Sequence, residues 1–270
     1  MNDKALKIRH SRIREGMSRM GVDCLIVTRP ANVTYITGFL GEDSWALVLP
    51  KAVILITDSR YSEQAAKECK KCRIVVRKNA MIKTVAKLLK KKSDNIALEK
   101  SASIADLEAL KKELKRGSTS LTTGRVKPVA NIIEAVRQIK DDGEVAAIKA
   151  AAKIAGQALK KTIRRIQTGM TENELAGMLD FEVRKLGGQA SFETITAFGP
   201  NAARPHHTPT DRKLRKNDTV LIDFGVRYKG YSCDITRCPR GPAASWATKA
   251  RTSGSQRFGT STVQKLRMMK

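Results

Sequence analysis

The chain has 270 residues, 41% of them apolar, which is enough for two packed domains and too apolar for a disordered chain. Its formal charge of +26 is spread over short runs (Lys90–Lys92, Lys111–Lys112, Lys160–Lys161, Arg164–Arg165) with only 4% aromatic residues. That argues for salt-sensitive, nonspecific attraction to polyanions and against a base-stacking nucleic-acid module. Five cysteines without framework spacing, no apolar N-terminal core, and an apolar stretch at 45–56 broken by Pro50 and Lys51 argue against a disulfide-stapled secreted fold and a membrane helix. The expected location is the cytoplasm.

Taken in chain order, residues 1–125 alternate helix and strand. A helix over 4–20 precedes a buried strand at 24–28, then strands at 46–49 and 53–57, a helix over 62–69 and a strand at 73–77. A helix over 82–91, a strand at 96–98 and a helix over 104–114 complete an α/β layer with a largely parallel or mixed sheet. Cys69-Lys-Lys-Cys72 has C-x-x-C spacing, but no second pair completes a zinc site and the pair closes a helix instead of opening one, so it is read as structural. His10, on the first helix, is likewise read as structural or solvated. The Ser/Thr/Gly-rich stretch 117–128 reads as a linker.

The second part opens with helices. Val145, Ile148, Ala152, Ala155, Leu159, Ile163 and Ile166 recur at steps of three and four, an amphipathic stripe ended by Gly169. Thr171-Glu-Asn-Glu174 is a capping box for the next helix, which Gly187-Gly188 ends. Then Val220-Leu-Ile-Asp-Phe-Gly-Val and Tyr231-Ser-Cys-Asp-Ile-Thr read as a β-hairpin. A two-residue turn at Tyr228-Lys229 predicts Asp223 and Asp234 directly opposite each other on one face. Opposed carboxylates repel unless a cation sits between them, so the pair reads as the start of a metal site with hard oxygen ligands.

Four segments in order carry a resemblance: Ser191-Phe-Glu-Thr-Ile, Gly199-Pro-Asn-Ala-Ala-Arg-Pro-His-His-Thr-Pro-Thr210, Val220-Leu-Ile-Asp-Phe-Gly and Gly230-Tyr-Ser-Cys-Asp-Ile-Thr-Arg237. Together they resemble the Xaa-Pro peptidase family (aminopeptidase P and prolidase, with creatinase as a relative). Asp23-Cys-Leu-Ile-Val-Thr-Arg-Pro-Ala-Asn-Val-Thr-Tyr-Ile-Thr-Gly-Phe39 and Thr57-Asp-Ser-Arg-Tyr-Ser-Glu-Gln-Ala65 are similar to its creatinase-like N-terminal domain. The resemblance covers residues 1–237. It implies a creatinase-like α/β domain over 1–125, a mixed sheet with flanking helices, followed over 126–237 by the first half of an α+β pita-bread peptidase domain that is incomplete at its C-terminus.

It further implies that Asp223 and Asp234 are metal ligands and that His206 contacts substrate near the scissile bond. Arg60 lies in the N-terminal signature, and in some relatives that domain completes a partner subunit's pocket, although a surface ion pair is the plainer reading. The implied cofactors are two divalent ions, manganese or cobalt and less readily zinc, which activate a bridging water. Proline-containing peptides are the implied substrates and a homodimer the implied assembly. Aminopeptidase P and prolidase specificity stay open, and a creatinase-like C–N hydrolase is a remoter possibility.

After Arg237 the pattern stops. Residues 238–270 hold seven Lys and Arg but no Asp, Glu or His, against 45 Lys and Arg and all 26 Asp and Glu before them. The histidine and two glutamates that would complete the metal site are therefore absent. The stretch reads as out-of-frame or otherwise aberrant, disordered basic sequence. The expectation is a metallo-exopeptidase by lineage whose truncated chain is inactive. The rival is a non-enzymatic pita-bread binding protein, for RNA in particular, although such a module has no need of paired aspartates.

Overall fold

The structure, a computed structural model, describes residues 3–89, 95–115 and 125–238. The basic stretch expected to be aberrant, apart from Cys238, lies outside these residues. The chain divides into two compact units at Gly143–Glu144.

The first unit runs α1 (Asp3–Arg19), β1 (Cys24–Val27), α2 (Pro30–Thr37), β2 (Trp45–Val48), β3 (Val53–Thr57), α3 (Ser62–Glu68), β4 (Arg73–Val76), α4 (Met81–Leu89), β5 (Asn95–Glu99), α5 (Ile104–Lys115), β6 (Arg125–Val129) and α6 (Ile132–Gln138). Its six-stranded sheet has the order β4-β3-β2-β1-β5-β6. It is mixed: β1–β5, β5–β6 and β3–β4 are parallel, β1–β2 and β2–β3 antiparallel. Every residue of β1 and of β3 is buried, as strands covered on both faces must be.

The period of two divides these strands between two cores. Leu25 and Val27 point to the side carrying Ile13 and Met17 of α1, Val33 and Ile36 of α2, and Ile132 and Ile133 of α6. Cys24 and Ile26 point to the side of Val85 and Leu89 of α4 and Leu110 of α5. The result is a helix–sheet–helix sandwich. His10 is buried within α1, not solvated, and hydrogen-bonds the Ile36 carbonyl at 2.6 Å.

The linker expected over 117–128 is corrected at its C-terminal end. Arg125–Val129 is β6, in register with Asn95–Glu99, so the boundary between units lies beyond 125. Lys127 and Pro128 hide the strand from a propensity reading; Pro128 is tolerated because β6 is the outermost strand of this sheet.

The second unit begins within α7 (Asp142–Ile163), followed by α8 (Glu172–Lys185), β7 (Gln189–Ala190), β8 (Ile195–Phe198), β9 (Val220–Tyr228) and β10 (Tyr231–Arg237). All its strand pairings are antiparallel, with β10, β7 and β8 each paired to β9. Val220, Ile222, Phe224 and Val226 of β9 pack with Ile154, Ala158 and Leu159 of α7 and Leu175, Leu179 and Val183 of α8. Burying each such side chain contributes about 1.5–3 kcal/mol. The other face of β9 carries Leu221, Asp223, Gly225 and Arg227.

The capping box forms as the sequence predicts: the Thr171 hydroxyl accepts from the Glu174 N–H at 3.1 Å, and the Glu174 carboxylate accepts from the Thr171 N–H at 2.7 Å. Thr171→Ala is expected to lower stability by about 1 kcal/mol, read as a shift in the urea midpoint of the second unit.

Candidate metal and substrate site

The β9–β10 hairpin turns through Lys229 and Gly230, both at positive φ (49° and 81°), the geometry of a two-residue turn whose hand matches the twist of its strands. Tyr228 therefore faces Tyr231, one position later along the chain than a Tyr228-Lys229 turn requires. The shift moves every pairing by two residues. Asp223 lies opposite Thr236 and Asp234 opposite Gly225, so the expected direct opposition of the aspartates is corrected to a diagonal one.

A shift of two preserves side-chain parity, and both aspartates keep to the face turned away from α7 and α8. Diagonal neighbours stand roughly 7–8 Å apart, so these carboxylates do not collide. Thr236 fills the place opposite Asp223 and donates its hydroxyl to Oδ1 at 2.8 Å. Both aspartates are half-buried.

Ser191 and Phe192 seat on Gly225, which lies opposite Asp234 and two residues along β9 from Asp223. The Ser191 N–H donates to the Gly225 carbonyl at 3.0 Å. A methyl group on Gly225 would meet Ser191 Oγ, Phe192 Cε1 at 2.6 Å and the Cys233 carbonyl oxygen at 2.7 Å. The glycine of Asp-Phe-Gly is thus the contact point for the Ser-Phe-Glu-Thr segment.

The segment holding both histidines is organised by Glu172, which is fully buried. Its Oε1 accepts from the Phe198 N–H (2.8 Å) and Asn201 Nδ2 (3.0 Å). Its Oε2 accepts from the Thr210 N–H (3.0 Å) and hydroxyl (2.6 Å) and bonds His207 Nε2 (2.8 Å). Burial pushes this carboxyl up, but the bonds from His207, Thr210, Asn201 and Phe198 together outweigh it and hold it down at about 2.

His207 is therefore consumed in structure, and His206 is exposed beside it. The sequence pointed to the ends of Thr171-Glu-Asn-Glu174 and missed Glu172. Its signal was an acidic residue on the buried face of an otherwise capped helix.

Arg60 lies in the first unit. It pairs with Asp58 and Asp43, each at 2.7 Å, and its guanidinium is 5.6 Å from the Tyr61 ring centre. The bond from Arg60 lowers Asp58, and the two carboxylates raise the guanidinium further. With Arg60 and Asp43 more than half exposed, the cluster contributes little to stability. An incoming carboxylate would have to displace existing partners.

Among the described residues no group of three or more His, Cys, Asp or Glu is placed to hold a metal ion. Asp223 and Asp234 are hard oxygen donors of the right kind, but two carboxylates do not fit a pair of divalent ions by themselves. An open cleft of about 660 Å3 where α7 turns into α8 is lined by Arg165, Met170, Met178 and Phe181 among others and contains none of the predicted site residues. No helix among the described residues is long and apolar enough to cross a membrane.

Two domains in this order, a mixed α/β sandwich and then helices on an antiparallel sheet with paired aspartates, define a creatinase-like domain followed by a pita-bread domain. Residues 9–139 match the creatinase/prolidase N-terminal domain, and residues 146–243 match metallopeptidase family M24. The chain thus carries both domains, and Xaa-Pro peptidases are among the proteins similar to it.

It is 31% identical over 232 residues to the uncharacterized peptidase YqhT of Bacillus subtilis, covering 84% of this chain and 63% of the relative. Among solved structures it is similar to an Xaa-Pro dipeptidase from Bacillus anthracis (TM-score 0.78, 30% identity, 86% of this chain and 64% of that one). It also resembles an X-Pro aminopeptidase from Thermotoga maritima (TM-score 0.71, 31% identity, 83% and 64%). The chain spans under two thirds of each of these relatives.

Proposed function

We propose that this chain carries part of the machinery of a metal-dependent exopeptidase for Xaa-Pro bonds, of aminopeptidase P or prolidase type. Asp223 and Asp234 are its contribution to a site for two divalent ions, and His206 meets the substrate. The observation that carries this reading is the placement of both aspartates on one face of the β9–β10 hairpin, away from the helices. Such a bound ion pair supplies Lewis-acid activation of water and carbonyl. His206 is available because Glu172 claims its neighbour. Arg60 enters as a second substrate-facing group only on release from Asp43 and Asp58. Cytoplasmic location and a homodimer belong to the same proposal.

The 270-residue chain alone is proposed to be inactive, because the sequence after Asp234 contains no further His, Asp or Glu. The test is hydrolysis of an Xaa-Pro dipeptide, and of a tripeptide with penultimate proline, by the purified chain with Mn2+ or Co2+, alongside calorimetric Mn2+ titration. Turnover is expected at the buffer blank, with Mn2+ affinity at least about 100-fold below that of a full-length relative. Turnover comparable to that relative overturns the inactivity. Residual Mn2+ binding unchanged in Asp223→Asn and Asp234→Asn overturns the ligand assignment. Salt-dependent RNA binding of defined stoichiometry favours the non-enzymatic rival.

A further inference from the structure

The six-stranded sheet of the first unit ends in β6 on one side and β4 on the other. An outermost strand carries backbone N–H and C=O groups with no neighbour to pair them, and successive residues turn those groups to opposite sides. In β6 the Val129 carbonyl accepts from the Lys100 N–H at 2.8 Å, so Val129 and Lys127 face β5 and Pro128 faces outward. Proline has no N–H to offer there, which blunts that edge.

The β4 edge lacks such protection. The Arg77 N–H donates to the Thr57 carbonyl at 2.7 Å, so residues of that parity, Arg73 and Val75, face β3. Ile74 and Val76 therefore turn their N–H and C=O groups off the sheet. Among the described residues no strand pairs with that side, and no proline interrupts it. Val76 is 42% exposed and Ile74 half-buried.

The charge around this edge has one sign. Residues 70–89 hold seven Lys and Arg and no Asp or Glu. Lys71 is paired with Asp3 at 3.1 Å, and Arg77 with Asp58 at 3.2 Å. Lys70, Arg73 and Lys78 are exposed and have no acidic partner among the described residues. Pairing of this edge with a second copy of itself would bring like charges together, which disfavours that occupant. A polyanion without a peptide backbone would meet the cations but leave Ile74 and Val76 unpaired. An extended segment carrying carboxylates satisfies both.

We propose that the β4 edge is a docking site for an extended acidic segment of a partner protein, which adds to the sheet as a further strand. Its backbone pairs with Ile74 and Val76, and its carboxylates meet Lys70 and Arg73 at one end and Lys78 at the other. Main-chain hydrogen bonds supply affinity, and charge selects the partner. All of these residues lie in the first unit, and the site does not depend on the peptidase reading.

The experiment follows fluorescence anisotropy of a labelled peptide, Glu-Glu-Val-Thr-Val-Glu-Glu, on titration with the full chain. A second peptide of the same sequence is N-methylated at the central Val-Thr-Val amides, which removes donors but no charge. The unmethylated peptide is expected to bind at least about tenfold more tightly than the methylated one, as loss of two or more hydrogen bonds implies. Val76→Pro, which removes an outward N–H, is expected to weaken binding by about the same factor. The methylated peptide reads the pairing on the unaltered chain, whatever the stability of that variant. Arg73→Glu combined with Lys78→Glu is expected to abolish binding of either peptide. Absence of binding overturns the site, and equal binding of the two peptides overturns the strand pairing. An RNA oligomer of the same charge that displaces the labelled peptide as well as unlabelled peptide does overturns the partner class. A dimer of the chain that Val76→Pro disrupts assigns the edge to a second copy and overturns it equally.

Discussion

Replacing Glu172 by alanine is expected to lower the unfolding free energy of the second unit by about 3–5 kcal/mol, the range found when one partner is removed from a buried charged network. Five donors converge on this carboxylate: the Phe198 and Thr210 N–H groups, Asn201, the Thr210 hydroxyl and His207. Alanine leaves them without their acceptor in a site from which water is excluded. A urea titration followed by amide exchange at Phe198 and Thr210 reads the loss, and amides of β1 and β5 serve as the internal control. A change below 1 kcal/mol, or a loss shared by both units, would contradict the role given to Glu172.

The same group sets an acid limit. Its folded value of about 2 lies below the ordinary 4.5, so its contribution is full above about 4.5 and is lost as pH falls through about 2. In Glu172→Ala that pH dependence is expected to disappear along with the stability.

Gly225→Ala is expected to destabilise the hairpin by roughly 1–3 kcal/mol, toward the upper end because one of the colliding atoms belongs to the backbone. Phe192 can turn aside, whereas the Cys233 carbonyl at 2.7 Å can yield only by moving β10, the strand that carries Asp234. Ser191 Oγ, itself buried, is the third atom that the methyl would meet. Gly177→Ala provides the contrast. Gly177 lies within α8 with nothing inside 4 Å of the added methyl, and the change is expected to stabilise by about 0.5–1 kcal/mol. Thermal midpoints of the two variants should move in opposite directions. Equal shifts would show that the close approach at Gly225 does not constrain the fold.

Local order along the chain was enough for most of the architecture. Periods of two and of three to four, the Thr171 cap and the glycines after α7 and α8 mark elements that depend mainly on their own residues. The alternation in residues 24–114 was enough for an α/β layer, and four ordered segments were enough for the family. Strand β6 escaped because Lys127 and Pro128 are poor strand formers that become a strand only by pairing with β5.

The candidate site divides in the same way. Asp223 and Asp234 share a face by parity alone, which any two-residue turn between β9 and β10 preserves. Whether they stand opposite or diagonal depends on which residues make that turn, and Tyr-Lys-Gly-Tyr permits two choices that only the folded twist separates. Glu172 looked like an ordinary acidic residue in the first turn of α8, well placed for the helix dipole. Its work is done by Phe198, Asn201, His207 and Thr210, which lie 26 to 38 positions away. No local signal carries a contact of that range, so the chain's own order proposes the two aspartates and His206 for chemistry, while packing alone reveals how Glu172 and Gly225 hold the segments around them.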